Sequence, residues 1–370
     1  MRSHIRIGLR GLLGAALVTL AIPGVPAASL QEKPVLTFTF FGCNRIDGPD
    51  AVTAGSSNIS TANVPQLKQN LTDICGLKPE LAFFGGDLVL GYGDDQGQIL
   101  KKQMSAWIDL VKTFPRADGC QYVAISGNHE KNRKKADAKL PNPVTDGVWS
   151  ALVKSAGLVP ADAVGPSPAT DSADGLVADQ KFLSFSFNRG PVHFVVLDTD
   201  TRVTTKDPET GETKIGMVPV TWLDSDLSKA EKDPAIKCVV VMGHRNVIDP
   251  DSVKGDAPID PEAAKPMIKS LKAHKKVRAY VCAHVHAFDI SAIGKNGLQQ
   301  VCFGNGGSKL EKKWKPTAGR TFGFGYFKAY ADGSLGVVPY LRPEPANYLD
   351  DSAGAVPAAK PVQELRIAPR

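Results

Sequence analysis

Gln121-Tyr122-Val123-Ala124-Ile125-Ser126-Gly127-Asn128-His129-Glu130 holds the reading that decides the fold. An apolar run rich in β-formers stops at a glycine, and three residues able to bind metal, phosphate or a proton follow. Glycine lets the chain turn sharply at the end of such a strand. The same arrangement recurs at Gly42-Cys43-Asn44-Arg45, Gly86-Asp87 and Gly243-His244-Arg245, and with alanine in place of the glycine at Ala283-His284-Val285-His286. The runs that lead to these tips are Val35–Gly42, Glu80–Gly86, Gln121–Ser126, Lys237–Gly243 and Val277–Ala283; Val192–Asp198 is a further strand-like run. Amphipathic helical patterns lie between them at Val64–Cys75, Gln98–Phe114, Pro219–Lys232 and Pro261–His274. Strands that alternate with helices imply crossover connections and a parallel or mixed sheet, an α/β layered fold. In such sheets ligands gather beyond the carboxyl ends of the strands, so the five polar tips can converge in one cleft.

Of the seven histidines, His129, His244, His284 and His286 lie at tips, which packing does not explain. His284 and His286 are two apart, so on extended chain both imidazoles face one side. With a carboxylate, an amide and another histidine they suit Zn, Mn or Fe. Asp87 could bridge two ions, and paired ions roughly 3.5–4 Å apart are a recurring device for displacement at phosphorus.

The rest of the chain bounds the answer. A hydrophobic content of 42% with 22% charged residues excludes disorder, and the abundance of Gly (35) and Pro (27) argues against a helix bundle. Arg2, Arg6 and Arg10 precede the uncharged apolar run Leu12–Ile22, and Val25-Pro26-Ala27 offers a cleavage point, the pattern of an export signal over residues 1–27. The apolar run is shorter than the ~20 residues of a spanning helix, so export to the periplasm or exterior, with no membrane attachment after cleavage, is the expectation. Cleavage removes three arginines and no acidic residue, lowering the formal charge from +6 to +3, which leaves little basis for a nucleic-acid partner. In an exported chain Cys75 and Cys120 could meet in a disulfide at one end of a sheet. Residues 160–180 read as an irregular insertion, Lys206–Gly216 as a polar hairpin or loop, and residues 343–370 as a Pro/Ala-rich tail that packs loosely. Lys131–Lys135 is a basic run, read either as a solvated face or as an attractor of anions.

The ordered set Gly-Asp, Gly-Asn-His-Glu, Val-x-x-His and x-His-x-His resembles the calcineurin-type metallophosphoesterase superfamily, which includes the purple acid phosphatases. The resemblance runs from about Val35 to Gly307 and takes in Val220-Thr221-Trp222-Leu223-Asp224 and Gly304-Asn305-Gly306-Gly307. It implies a two-sheet β-sandwich flanked by helices, the metallophosphatase αββα fold, in one domain over residues 34–342. It also implies two metal ions (Fe, Zn or Mn). Asp87 would bridge them, Cys43 and His286 would bind the first, and Asn128, His244 and His284 the second. His129 would be the proton donor to the leaving oxygen. The implied activity is hydrolysis of phosphate monoesters on a phosphorylated small molecule, by in-line attack of metal-bound hydroxide. The alternatives are a phosphodiesterase, or a catalytically inactive metal- or phosphate-binding protein of the same fold.

The first tip departs from the pattern. The family's Asp-x-His is here Cys43-Asn44-Arg45. A cysteine thiolate is a competent ligand, similar to the ligand cysteine of alkaline phosphatase D-type enzymes. Arginine cannot ligate, because it stays protonated. Arg45 is read as a fork that clamps substrate phosphate, with a roleless surface residue as the other reading; Asn44 is read as a turn residue, with metal binding through its oxygen as the other reading. Leu90 stands where the purple acid phosphatases carry a tyrosine ligand, and Tyr92 is close but off register. Glu130 is read as a solvated or helix-starting acid, with orienting His129 as the other reading. His193 is read as structural, and Arg245 as facing phosphate or forming a plain salt bridge. Nothing in the sequence sets an oligomeric state.

Overall fold

Phenylalanines on the inward faces of two sets of strands define the interior. Phe38 stacks on Phe327 and meets Phe194 edge-on, with centroids 4.6 and 5.1 Å apart, while Phe83 packs on Phe194 and Phe187. Aromatic contacts of this kind add to the area they bury, so two sheets that share such a seam are held face to face. The computed structural model describes residues 32–46, 64–92, 96–114, 119–135, 138–177, 179–206, 211, 213–253, 255–312, 320–344 and 356–370. The export-signal reading of residues 1–27 lies outside the described residues.

The first sheet contains β1 (Leu36–Phe41), β2 (Leu81–Phe84), β3 (Gln121–Ala124), β14 (Thr321–Ala329), β15 (Leu335–Pro343), β16 (Lys360–Pro361) and β17 (Leu365–Ile367). Its order is β16-β15-β14-β1-β2-β3, with β17 also on β15. The second contains β6 (Phe185–Arg189), β7 (Val192–Leu197), β10 (Cys238–Gly243), β11 (Val277–Cys282), β12 (Phe288–Ala292) and β13 (Gln299–Phe303), in the order β12-β13-β11-β10-β7-β6. Two hairpins stand apart: β4 (Asn132–Lys135) with β5 (Ala138–Pro141), and β8 (Thr201–Lys206) with β9 (Thr213–Met217). The helices are α1 (Val64–Leu77), α2 (Gln98–Lys112), α3 (Asn128–Lys131), α4 (Pro143–Ser155), α5 (Pro168–Ala173), α6 (Val220–Lys232) and α7 (Pro261–Ala273).

Two hydrophobic clusters explain the layers. One joins the facing sheets and takes in Leu67 and Leu71 of α1 and Met104 and Trp107 of α2. The other packs Trp222 and Leu227 of α6 and Met267 and Leu271 of α7 on the outer face of the second sheet, against Val195, Val239 and Val241. The result is the expected α/β architecture, two sheets flanked by helices. What matters for the site is direction. Strands β1, β2 and β3 are mutually parallel, and so are β7, β10, β11 and β13, so the carboxyl tips within each sheet lie at one edge. The two edges are tied together: Gly42 N–H donates to Phe303 O at 2.9 Å, and Gly306 N–H to Gly42 O at 3.1 Å.

Three expectations change. None of the six cysteines is in a disulfide, so Cys75 and Cys120 do not cross-link. The stretch 160–180 contains the short helix α5, started by Ser167 and Pro168. The end of the tail is docked rather than loose: Leu335, Gly336 and Val337 pair with Ile367, Arg366 and Leu365. Glu364 accepts from Lys328 Nζ and Tyr330 Oη, and Arg370 donates to the carbonyls of Leu271, His274 and Val277. The Pro/Ala composition concealed this because a few spaced polar side chains make the contacts. Deleting residues 356–370 should therefore lower the thermal midpoint by about 5 °C or more, the loss of a few kcal/mol in a domain of this size. An unchanged midpoint in a melting scan would restore the loose-tail reading.

Candidate metal centre

The site is built on strained strand ends. Cys43, Asp87 and His284 have φ values of 57°, 54° and 58°, a region non-glycine residues rarely adopt. Such backbone persists only where surrounding contacts hold it, and at Asp87 they are explicit. The Glu130 carboxylate accepts from four backbone N–H groups: Oε2 from Asp87 and Gly127 at 3.0 and 2.7 Å, Oε1 from Leu88 and Val89 at 2.8 and 3.0 Å. Glu130 is therefore buried and pins one tip to another, not a solvated acid. Gly127 is needed here because a Cβ would lie 2.5 Å from Asp87 N and Oδ1.

His244 Nδ1 faces Gly85 O at 2.8 Å, which turns Nε2 into the cluster. Around that Nε2 stand Asp87 Oδ1 at 3.2 Å, Asn128 Oδ1 at 3.1 Å and His284 Nδ1 at 3.1 Å. Donor atoms about 3 Å apart are what ligands bonded at about 2.0–2.2 Å to one ion present to each other. Asn128 is held in that orientation by Tyr92, whose Oη accepts from Asn128 Nδ2. Cys43 Sγ, a carboxylate oxygen of Asp87 and a ring nitrogen of His244 also lie within 4.8 Å of one another. The residues present thus fit one transition-metal ion of the Zn, Mn or Fe type.

The first-ion residues are less open. His286 Nδ1 faces Lys309 O at 2.7 Å and His129 Nδ1 faces Leu90 O at 2.5 Å, so each ring turns Nε2 inward. Both Nε2 atoms meet Arg45: Nη2 lies 3.0 Å from His286 and Nη1 2.6 Å from His129. Arg45 Nε donates to Ser308 Oγ at 2.9 Å. Buried Arg45 is no surface residue. Asn44 points away, its Oδ1 accepting from Trp107 Nε1 at 3.2 Å, a packing role rather than a metal or turn role.

Charge follows from this packing. Burial opposes ionisation of Asp87, but His129, His244 and Arg45 outweigh it and hold the carboxyl well below the usual range. Burial, then Asp87, pushes Glu130 up to about 7. Burial opposes the charged form of His244, yet Asp87 raises its pKa overall. Burial and then Arg245 drive His284 well down, and burial and then Arg45 take His286 to about 3, so both rings stay neutral as ligands must be. Burial, reinforced by Asp87, raises the Cys43 thiol well above the ordinary value.

The tip of β7 also belongs to the site, and the five-tip pattern left it out. Asp200 binds Arg245 at 2.7 Å, and Arg245 Nη1 lies 3.2 Å from His284 Nε2. Arg245 is thus salt-bridged and also braces a candidate ligand. Asp198 binds Lys131 Nζ at 2.9 Å, and Asp146 binds the same amine, so Lys131 is a buried ion-pair partner and not part of a solvated basic face. The signal is Leu197-Asp198-Thr199-Asp200, a strand ending in two acids with neither a glycine nor a histidine to mark it. His193, bonded to Asp226 and Asn188 away from these groups, is structural.

A family model described as calcineurin-like phosphoesterase matches residues 60–288, more than half of the chain. No curated protein is significantly similar in sequence. Among solved structures, a purple acid phosphatase from yellow lupin (Lupinus luteus) seeds is 15% identical with a TM-score of 0.57. The match covers 91% of this chain and 54% of that one, so the chain spans about half of the lupin protein's length. A dimetal phosphatase from Danio rerio is 13% identical with a TM-score of 0.50, covering 91% of this chain and 100% of its own. At these identities the likeness is one of fold.

The four bonds to Glu130 give a direct test. In Glu130→Gln, whichever way the amide lies, its NH2 confronts two backbone N–H donors. The variant should lose at least about 2 kcal/mol in urea unfolding of metal-free protein, the penalty of buried donors without acceptors. A wild-type unfolding midpoint would show that the carboxylate does not hold the tips.

Proposed function

This chain belongs to the calcineurin-like phosphoesterase family, and from that premise we propose that it is an exported metal-dependent phosphatase acting on phosphate monoesters of small molecules. The family is built on a dinuclear metal centre and acts on phosphoric esters. The observation that carries the reading is the convergence of Asp87 Oδ1, Asn128 Oδ1 and His284 Nδ1 on His244 Nε2. These four residues would hold an ion, which when bound supplies Lewis acidity and a nucleophile derived from water at neutral pH. The export pattern of residues 1–27 supports a periplasmic or secreted location.

The protein's own residues perform the remaining tasks. Arg45 uses three of its five N–H donors on Ser308, His129 and His286, which leaves two for phosphate oxygens. A monoester carries more charge than a diester, and a guanidinium beside the ion favours it. His129, anchored through Nδ1, presents Nε2 to the centre beside Arg45 and 3.7 Å from Asp87 Oδ2. With the Arg45 contact exchanged for substrate, Nε2 is free to take up a proton, and from that atom the proton passes to the leaving oxygen.

Aryl and alkyl phosphate monoesters, with a matched diester, measure this on wild type and His129→Ala. Wild type should turn over monoesters faster than the diester, lose activity to a chelator and regain it with Zn, Mn or Fe. His129→Ala should lose ~100-fold or more on alkyl phosphates and less on activated aryl phosphates, which need little protonation. A preference for the diester would make the protein a phosphodiesterase. No turnover by metal-replete protein would make it a binding protein, and equal losses on both leaving groups would remove His129 as the acid.

A further inference from the structure

We propose that the Arg45 guanidinium occupies the place of the family's first metal ion, so that this chain works with a single ion held by Asp87, Asn128, His244 and His284. The inference rests on the phosphoesterase reading for its chemistry and on geometry for its stoichiometry.

Three observations carry it. The first is the direction of two lone pairs. His286 and His129 each spend Nδ1–H on a backbone carbonyl, Lys309 O and Leu90 O, which fixes the tautomer whose bare Nε2 faces inward. Two imidazole lone pairs aimed at one place make a cation site, and the cation they meet is Arg45, at 3.0 and 2.6 Å. The second is space. A metal bonded to His286 Nε2 at about 2.0–2.1 Å would lie about 1 Å from Arg45 Nη2 along the same direction, so ion and guanidinium exclude each other. Arginine cannot make room by losing a proton, since it stays charged at any pH the protein survives.

The third is anchorage. Arg45 is buried, and its backbone N–H donates to Asp87 O at 3.0 Å. Its Nε is bonded to Ser308, whose own N–H donates to Cys43 O at 2.7 Å. Arg45 is therefore tied to the Asp87 loop through its backbone and to the Cys43 loop through its side chain, by way of Ser308. Cys43 is not stranded by the loss of a first ion, because its Sγ lies within 4.8 Å of the Asp87 and His244 donors and can serve the remaining one. The guanidinium supplies positive charge and a planar fork for phosphate but does not generate a nucleophile, so the two tasks of a metal pair are divided between one ion and one side chain.

The test is a metal count on the full chain. Protein stripped with a chelator is dialysed against Mn(II) and analysed by inductively coupled plasma mass spectrometry and electron paramagnetic resonance. Wild type should bind one equivalent and show the hyperfine pattern of an isolated ion. Arg45→His removes the cation and supplies an imidazole, and should bind two equivalents with the spectrum of an exchange-coupled pair. Two tightly bound equivalents or a coupled pair in the wild type would overturn the inference while leaving the phosphatase reading intact. One equivalent without ester hydrolysis would sustain the inference and sink the phosphatase reading. No bound metal would overturn both. Should Arg45→His fail to fold, the wild-type count decides alone.

Discussion

A carboxylate buried on strained backbone is the constraint around which this molecule is arranged. Asp87 sits at φ 54° and is almost wholly removed from water, a placement that costs several kcal/mol unless charge and hydrogen bonds compensate. The compensation comes from both sheets. His244 arrives from the tip of β10, His129 from α3, and Arg45 from beyond β1. A second buried carboxylate, Glu130, sits beside the first, and the repulsion between them is part of why Glu130 is pushed up to about 7. Its four backbone donors make that proximity tolerable and convert it into a clamp on the Asp87 loop. The polar centre is held in place by the phenylalanine seam between the sheets and by the Gly42–Phe303 and Gly306–Gly42 backbone bonds across their edges.

The layered fold was legible because it is written in period and punctuation: apolar runs, glycine stops and amphipathic helices. The donors were legible for the same reason, since Asp87, Asn128 and His244 each follow a glycine stop and His284 follows the small Ala283 at the end of an apolar run. Side-chain reach was not legible. Glu130 looked like a helix-starting acid because nothing in local sequence says that it points back to the strand behind it. Lys131 looked like part of a basic run because its partners, Asp146 and Asp198, are distant in the chain. Tyr92, off register for a ligand, supports Asn128 instead. The β7 tip is not legible because neither a glycine nor a histidine marks it, and the tail is not because composition does not reveal a few well-placed hydrogen bonds.

The first tip joins these threads. Sequence alone leaves Arg45 between a phosphate clamp and a residue without a role, since it reveals an arginine's charge but not what that charge faces. In the fold it faces the inward ring nitrogens of His129 and His286 and lies near Asp87, which are the surroundings of a cation. A metal-binding family fold has thus kept its second ligand set while a fixed organic cation fills the neighbouring position. Such a centre carries less positive charge than an ion pair and a more directional one, which favours orienting a phosphate over activating water at two places.

The most direct measurement is anomalous scattering from crystals of the full chain loaded with Zn(II). The account predicts one strong peak within bonding distance of Asp87, Asn128, His244 and His284, with Arg45 still between His129 and His286. Two peaks bridged by Asp87, with Arg45 swung away, or no peak among these donors, would contradict it.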